Sequence, residues 1–188
     1  MEFNLIIAVC VVLGLSYVLY HVIVYYFTRV PYVATPKKRF NTIFKELSIT
    51  PETVMYDLGC GNGSFLFAAE RYGFKKLVGV ELSPLLAWCG VVKSKLVKSK
   101  VIIRRENFFH TNIHEADIIY LFLVQNVVDK IISKLKNEAK KGAIIICLAD
   151  TVKGFALEKV IDTNPGNKHS TKIYFYKNFL NKKHPGGS

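Results

Sequence analysis

The sequence has few cysteines, and their positions exclude two kinds of small stabilised domain. Cys10, Cys60, Cys89 and Cys147 include no CxxC pair. A disulfide framework and a structural zinc site are therefore excluded, and a reducing compartment fits the pattern. The chain also lacks internal repeats and low-complexity tracts, and its aromatic content of 13% excludes a chain unable to bury a core. Its 188 residues suit one domain of ordinary size.

Charged residues are missing from the beginning of the chain. Phe3–Phe27 contains no Asp, Glu, Lys or Arg, and it is rich in Leu, Ile and Val. A membrane-spanning helix needs roughly 20 apolar residues. No basic residue precedes the segment, although a cleaved signal peptide would begin with one. The sequence therefore predicts an uncleaved transmembrane anchor over residues 1–28.

Acidic residues are scarce in the rest of the chain. The 26 Lys and Arg residues outnumber the 14 Asp and Glu, which gives a net charge of +12. Arg29, Lys37, Lys38 and Arg39 follow the apolar segment, so the positive-inside rule predicts a domain that faces the cytoplasm. The excess charge has three interpretations, namely attraction to anionic lipid headgroups, nucleic-acid binding, or a solvated surface. The basic run Lys93–Lys100 is amphipathic rather than suited to a groove, which favours lipid over nucleic acid.

Strand and helix patterns alternate five times in the remaining sequence and end in a hairpin. This order predicts an α/β, Rossmann-like sheet of seven mostly parallel strands, with helices on both faces, over residues 29–180. Residues 181–188 are predicted to form a disordered tail. The predicted helices are Lys37–Leu47, Ser64 (as the cap) to about Tyr72, Pro84 to about Val97, and Asn126–Ala139. The predicted strands are Thr53–Asp57, Leu77–Glu81, Val101–Arg105, Asp117–Val124, Ala143–Leu148, Leu157–Ile161 and Lys172–Tyr176.

A glycine-rich turn follows the first predicted strand. Gly59, Gly61 and Gly63 are spaced as GxGxG, one position shorter than the GxGxxG of dinucleotide-binding turns. Asp57 ends the strand before the turn, where a carboxylate would repel a pyrophosphate. The same carboxylate suits a zwitterionic ligand that carries a sulfonium. The turn therefore favours S-adenosylmethionine over a dinucleotide.

A second carboxylate ends the next predicted strand. Glu81 lies one strand–helix–strand unit after Asp57, where a carboxylate can accept hydrogen bonds from both hydroxyls of a ribose. An ordinary tight turn would explain the glycines but not this pair of acids.

The segments Asp57–Gly63 and Val78–Glu81 resemble the first two motifs of the class I, seven-strand methyltransferases. Pro31–Pro36, Glu106–Phe109 and Leu121–Val127 are similar to segments of the archaeal-type protein lysine methyltransferases. They also resemble the membrane-anchored mitochondrial enzymes that methylate lysines of the ATP synthase c subunit and the adenine nucleotide translocase. Ala34 departs from that pattern, which has proline there.

The resemblance implies S-adenosylmethionine as cofactor and implies a set of residues that bind it. Asn107 would hydrogen-bond the adenine amine, although a loop asparagine that bonds its own backbone is an alternative. Thr35 would lie at the methionine end or cap a helix. The implied cofactor-binding set is Tyr32, Thr35, Asp57, Gly59, Cys60, Gly61, Glu81, Asn107 and Phe108.

The resemblance also implies direct methyl transfer to a neutral lysine amine of a protein, preferably a membrane-associated one. Tyr120 and Phe122 would line an apolar channel, with core packing as the alternative, and Asn126 would contact substrate or cap its helix. No catalytic residue and no metal site is identified. Methylation of a lipid or quinone-like molecule, methylation of RNA, and a silent cofactor-binding scaffold stay as alternative functions. The domain would face the matrix if the protein is mitochondrial.

Overall fold

The computed structural model describes residues 2–28, 37–164, 166–167 and 170–178. These residues fall into two compact units, one within Met1–Val33 and the other within Ala34–Ser188. The first unit contains helix α1 (Glu2–Thr28), whose apolar side chains are exposed over most of the helix. The helix predicted at the start of the chain is therefore confirmed.

The membrane-spanning character predicted for residues 1–28 is not confirmed. Over the part of the chain that the structure describes, no helix combines the length and the apolar character that a membrane crossing requires. The predicted tail, residues 181–188, lies outside the described residues.

The second unit alternates helices and strands as the sequence predicts. Its helices are α2 (Lys37–Lys45), α3 (Ser64–Ala69), α4 (Pro84–Leu96) and α5 (Gln125–Glu138), with a 3-10 turn at Glu70–Tyr72. Its strands are β1 (Val54–Leu58), β2 (Lys76–Glu81), β3 (Ile102–Arg105), β4 (Ile118–Leu121), β5 (Ile144–Leu148), β6 (Ala156–Asp162) and β7 (Lys172–Lys177).

The seven strands form one sheet in the order β3-β2-β1-β4-β5-β7-β6. The first five are mutually parallel, whereas β7 runs antiparallel to both β5 and β6. The predicted seven-stranded, mostly parallel sheet is therefore confirmed. Successive strands run outward from β1 in one direction to β3 and in the other to β5, so β1 and β4 meet where the strand order reverses. Ligands of open α/β sheets bind outside the carboxyl ends of the strands at such a point.

Right-handed crossovers place the helices on both faces of the sheet. The connections through α3 and α4 run from β1 toward β3, and the connection through α5 runs the opposite way, which puts α5 on the other face. A cluster of aromatic side chains fills the core on the face of the sheet that α3 covers. Phe65 of α3 stacks on Tyr120 of β4 with ring centroids 4.0 Å apart and on Phe44 of α2 with centroids 5.0 Å apart. Helix α2 is thereby packed over the strands that carry the glycine-rich turn.

Two local predictions are corrected by the structure. Ser64 does not cap α3, because the N-cap is Gly63 in the left-handed conformation. The Ser64 N–H and hydroxyl both donate to Asn62 Oδ1, at 3.2 and 2.6 Å. Strand β4 is shorter than the predicted Asp117–Val124, because the chain turns after Leu121 to begin α5 at Gln125.

Candidate functional site

The glycine-rich turn lies at the carboxyl end of β1 and folds back over β2. The N–H groups of Gly59 and Cys60 both donate to the Val80 carbonyl oxygen, at 2.8 and 3.1 Å. Gly59, Gly61 and Gly63 have φ of 89°, 57° and 76°. These left-handed values strain residues that have a Cβ, which explains the predicted GxGxG spacing.

The turn packs closely on β2 because β2 also has a glycine. A Cβ at Gly79 would lie 2.6 Å from Cys60 Sγ and 2.8 Å from Leu66 Cδ1. Helix α4 approaches the same turn at Gly90, where a Cβ would lie 3.3 Å from the Asn62 carbonyl oxygen. Any larger residue at position 79 would push the turn away from the sheet.

Asp57 and Glu81 lie at the carboxyl ends of neighbouring strands and bring two carboxylates to this turn. The Asp57 side chain is buried, with 3% of the residue exposed. Burial, and next the charge of Glu81, hold the pKa of the Asp57 carboxyl well above its usual range. Glu81 accepts one hydrogen bond on each oxygen, from Gly61 N–H at 2.9 Å and from Ser83 N–H at 2.7 Å. A pair of neighbouring carboxylates favours the binding of a positively charged ligand.

Cys60 is structural in this arrangement. Burial, and after it the charges of Asp57 and Glu81, raise the pKa of its thiol well above the usual range. The thiol therefore stays protonated, whereas a nucleophilic cysteine requires a lowered pKa. Cys60 lies inside the turn, and its contact with the cofactor stays a prediction.

The segment after β3 lies against the end of β2, because Glu106 N–H donates to the Glu81 carbonyl oxygen at 3.2 Å. Asn107 Oδ1 accepts from Phe109 N–H at 3.0 Å, which is the loop alternative stated for this asparagine. Phe108 is almost fully buried. Both predicted residues are thus near the Glu81 end of the site.

Glu106 was not predicted as a site residue. Its Oε1 is buried without a hydrogen-bond partner among the described residues, and Arg104 Nη1 lies 3.8 Å away. An unused acceptor beside Glu81 can bind a ligand N–H or O–H group. The sequence analysis includes Glu106 only as the first residue of the segment Glu106–Phe109, and the burial of its Oε1 depends on how β3 ends.

The three predicted substrate residues differ in their surroundings. Tyr120 is 2% exposed and stacks on Phe65, so core packing, the alternative, accounts for it. Phe122 is half-buried directly after β4 and packs against the core cluster. Asn126 is exposed in the first turn of α5. Only Phe122 and Asn126 are therefore available to a substrate.

A polar bridge that the sequence does not predict fixes the start of α5. Gln125 Nε2 donates to the Thr151 carbonyl oxygen at 3.0 Å, and Thr151 N–H donates back to Gln125 Oε1 at 3.2 Å. The bridge joins the loops that follow β4 and β5. These residues are 26 positions apart in the sequence, so no local pattern reveals their pairing.

Two predicted cofactor residues, Tyr32 and Thr35, lie outside the described residues. In the part of the chain that the structure describes, no group of three or more His, Cys, Asp or Glu residues could hold a metal ion.

The residues present fit S-adenosylmethionine. The turn glycines have no side chain that would keep a ligand away from the backbone, and Glu81 supplies carboxylate oxygens at the end of β2. The buried carboxyl of Asp57 suits a ligand with a positive sulfur and an ammonium group better than a pyrophosphate. The glycine-rich turn, the two carboxylates and the order of the strands together define a class I, S-adenosylmethionine-dependent methyltransferase.

Comparison with known proteins places the chain more narrowly. Residues 57–159 match the ANTKMT methyltransferase domain, and the chain belongs to this family. It is 31% identical over 154 residues to a protein-lysine N-methyltransferase of Saccharolobus islandicus, covering 80% of this chain and 95% of that protein. It is 25% identical over 120 residues to the mouse adenine nucleotide translocase lysine N-methyltransferase, covering 63% of this chain and 52% of the mouse protein.

A solved structure shows the same fold. The crystal structure of an RNA methyltransferase from Salinibacter ruber, in complex with S-adenosyl-L-homocysteine, superposes with a TM-score of 0.69. The two chains are 24% identical, and the match covers 77% of this chain and 93% of the other.

Proposed function

We propose that the protein is a protein lysine N-methyltransferase whose substrate is a membrane-associated protein. The observation that carries this proposal is the similarity to the Saccharolobus islandicus protein-lysine N-methyltransferase, which extends over 95% of that protein. The name of the mouse relative, an adenine nucleotide translocase lysine N-methyltransferase, supports the choice of a membrane-associated substrate.

The cofactor supplies a methyl group that is already activated on a positively charged sulfur. The chain therefore mainly binds and orients the reactants and excludes water. The turn Gly59–Gly63 and Asp57 hold the methionine part, and Glu81 holds the ribose hydroxyls. Asn107 and Phe108, beside Glu81, hold the adenine.

The lysine amine must be neutral when it attacks. Desolvation lowers the pKa of a lysine amine, because burial disfavours the charged form. Phe122, which leaves β4 beside the cofactor turn, supplies apolar surface for this purpose, and Asn126 at the start of α5 supplies a polar contact. No side chain is assigned as a general base, and loss of the proton to water before binding satisfies the chemistry.

The proposal is tested with the purified full chain, tritiated S-adenosylmethionine and a native-host extract divided into protein, lipid and RNA fractions. We expect label in a discrete protein band that yields methylated lysine on acid hydrolysis. The matched control is Glu81→Ala, which removes the carboxylate that binds Gly61 and Ser83 and should abolish the label.

Label confined to the organic phase would replace the proposal by methylation of a lipid or quinone-like molecule. Label that ribonuclease removes would replace it by RNA methylation. Cofactor binding without transfer to any fraction would support the silent scaffold instead.

We propose further that α1 holds the chain at a membrane, with the methyltransferase domain on the cytoplasmic side, or in the matrix if the protein is mitochondrial. Exposed apolar side chains along α1, including Leu5, Leu13 and Leu15, support this location, since exposing them to water is costly. Recovery of the full chain in the soluble fraction after alkaline carbonate extraction of host membranes would contradict the proposal. Protection of the domain from protease added outside intact cells or organelles would support it.

A further inference from the structure

Helix α4 and the residue after it expose large apolar side chains. Trp88 is 62% exposed and Leu96 is 78% exposed, and Val97 is also exposed. Trp88, Val92 and Leu96 are spaced four residues apart, so they lie along one side of the helix. Only Ala87 and Gly90 of α4 are fully buried. The exposed side chains of Trp88 and Leu96 therefore do not contribute to the core of the domain.

Basic side chains border this apolar surface. Lys95, Lys98, Lys100 and Arg105 are exposed, and among the described residues no ion pair involves Lys95 or Lys98. Lys93 differs, because its ammonium nitrogen lies 4.3 Å from the centre of the Phe67 ring. We call the exposed apolar residues Trp88, Leu96 and Val97, together with Lys95, Lys98, Lys100 and Arg105, the α4 surface.

The turn that carries these lysines is held in place by three polar side chains. Ser94 Oγ donates to the Val101 carbonyl oxygen at 2.8 Å. Glu70 accepts from Ser99 Oγ at 2.8 Å and from Lys100 N–H at 2.5 Å. Lys98 has a φ of 51°, a left-handed conformation that this bonding stabilises. Both carboxylate oxygens of Glu70 accept hydrogen bonds from this turn. Glu70 therefore contacts a backbone N–H and a hydroxyl there rather than a lysine ammonium group.

The chemistry of the α4 surface favours a lipid bilayer over nucleic acid. Lysines would bind phosphates of either partner, but Leu96 and Val97 cannot pair or stack with bases. A tryptophan between aliphatic side chains and lysines is typical of segments that lie in the headgroup region of a membrane. Each lysine close to an anionic leaflet strengthens the attachment.

We propose that the α4 surface docks on an anionic lipid membrane, with Trp88 and Leu96 entering the headgroup region and the lysines binding lipid phosphates. The inference adds a second contact to the membrane association proposed for α1, and it does not depend on which substrate is methylated. The docked face lies on the β3 side of the sheet, where α4 runs from just after Glu81 back to the start of β3, so Trp88 is the end of this face that is nearest to Glu81.

Trp88 is the single tryptophan of the chain, so its fluorescence reports this contact without interference from other tryptophans. The full chain is mixed with vesicles of phosphatidylcholine, with or without phosphatidylglycerol, and flotation confirms which vesicles bind it. We expect Trp88 emission to shift to shorter wavelength with anionic vesicles and to be quenched by lipids brominated in the acyl chains. High salt should reverse the shift, since it screens the lysines.

The charge dependence is tested with Lys95→Glu/Lys98→Glu against a charge-matched control, Lys130→Glu/Lys141→Glu, whose lysines are exposed on and after α5. The first variant should lower the ratio of docked to undocked chains by about thirtyfold or more, because each lysine near an anionic surface contributes about a factor of five. The control should leave the ratio close to that of the original sequence. Cofactor affinity should be unchanged in both variants.

Three results would overturn the inference. Trp88 could stay unquenched while flotation shows the chain on anionic vesicles, and the contact of α1 would then stand alone. Both charge variants could lower docking equally, which would mean that docking depends on the net charge of the protein and not on the α4 surface. Trp88 emission could respond to an RNA oligonucleotide and not to anionic vesicles, which would assign the surface to nucleic acid.

Discussion

Gly79 tests how closely the cofactor turn must pack on the sheet. Alanine at this position would place a Cβ 2.6 Å from Cys60 Sγ, 2.8 Å from Leu66 Cδ1 and 2.9 Å from Ile103 Cδ1. The backbone at Gly79 is ordinary strand, so the cost is steric and not conformational. Leu66 and Ile103 meet the new methyl with the ends of flexible side chains, whereas Cys60 is short and is fixed within the turn. We expect Gly79→Ala to lower the free energy of unfolding by about 2 kcal/mol, as overpacked cores do.

The same substitution should weaken cofactor binding, because the easiest relief is to move Cys60 and the turn. Denaturant unfolding measures the stability, and calorimetry with S-adenosylmethionine measures the affinity. Adding Cys60→Ala removes the shortest contact, so the double variant should recover about 1 kcal/mol relative to the sum of the single effects. Strictly additive effects, or a Gly79→Ala variant with unchanged affinity, would refute the packing argument.

Two further predictions concern buried polar groups. Burial raises the pKa of Asp57 above its usual value of 3.8, so from about pH 4 upward the unfolded chain loses this proton first and the stability of the cofactor-free protein falls. Asp57→Asn should remove this fall in stability, and the variant should bind the cofactor more weakly. A melting temperature that changes with pH in the same way for both proteins would contradict the prediction. Asn178 is buried and its Nδ2 donates to the carbonyl oxygens of Ala139 and Lys140, each at 3.0 Å. Asn178→Ala should lower the free energy of unfolding by about 2 kcal/mol and leave cofactor affinity unchanged, and normal stability in denaturant would show that water replaces both bonds.

The parts of the site that a local pattern encodes were predictable from the sequence. The spacing of Gly59, Gly61 and Gly63 follows from three left-handed residues in one turn, and the structure has all three. Glu81 ends β2 and Asp57 lies one residue before the end of β1, so parallel pairing of the two strands brings both carboxylates to the same edge of the sheet. The alternation of strands and helices predicted the fold class for the same reason.

The parts that depend on distant contacts were not predictable. The apolar run up to Val124 indicates burial but not a strand end, and β4 stops at Leu121 because the chain turns there into α5. Helix α3 is capped by Gly63 rather than Ser64, because the turn needs Gly63 in the left-handed conformation and Asn62 binds the serine. The buried Glu106 oxygen that lacks a hydrogen bond and the bridge from Gln125 to Thr151 both arise only when the loops meet at one edge of the sheet.

The position of β7 determines when the sheet can be completed during synthesis. Among the described residues β7 is the last strand, yet it lies between β5 and β6 and pairs with both. Until residues 172–177 have left the ribosome, the largely buried strand β5 has an unpaired outer edge, and such edges promote aggregation. The five parallel strands that carry the cofactor turn can assemble earlier, but their sheet is closed only from the C-terminal end. A nascent chain of this protein therefore needs protection longest at β5, which lies two strands away from β1 and its glycine-rich turn.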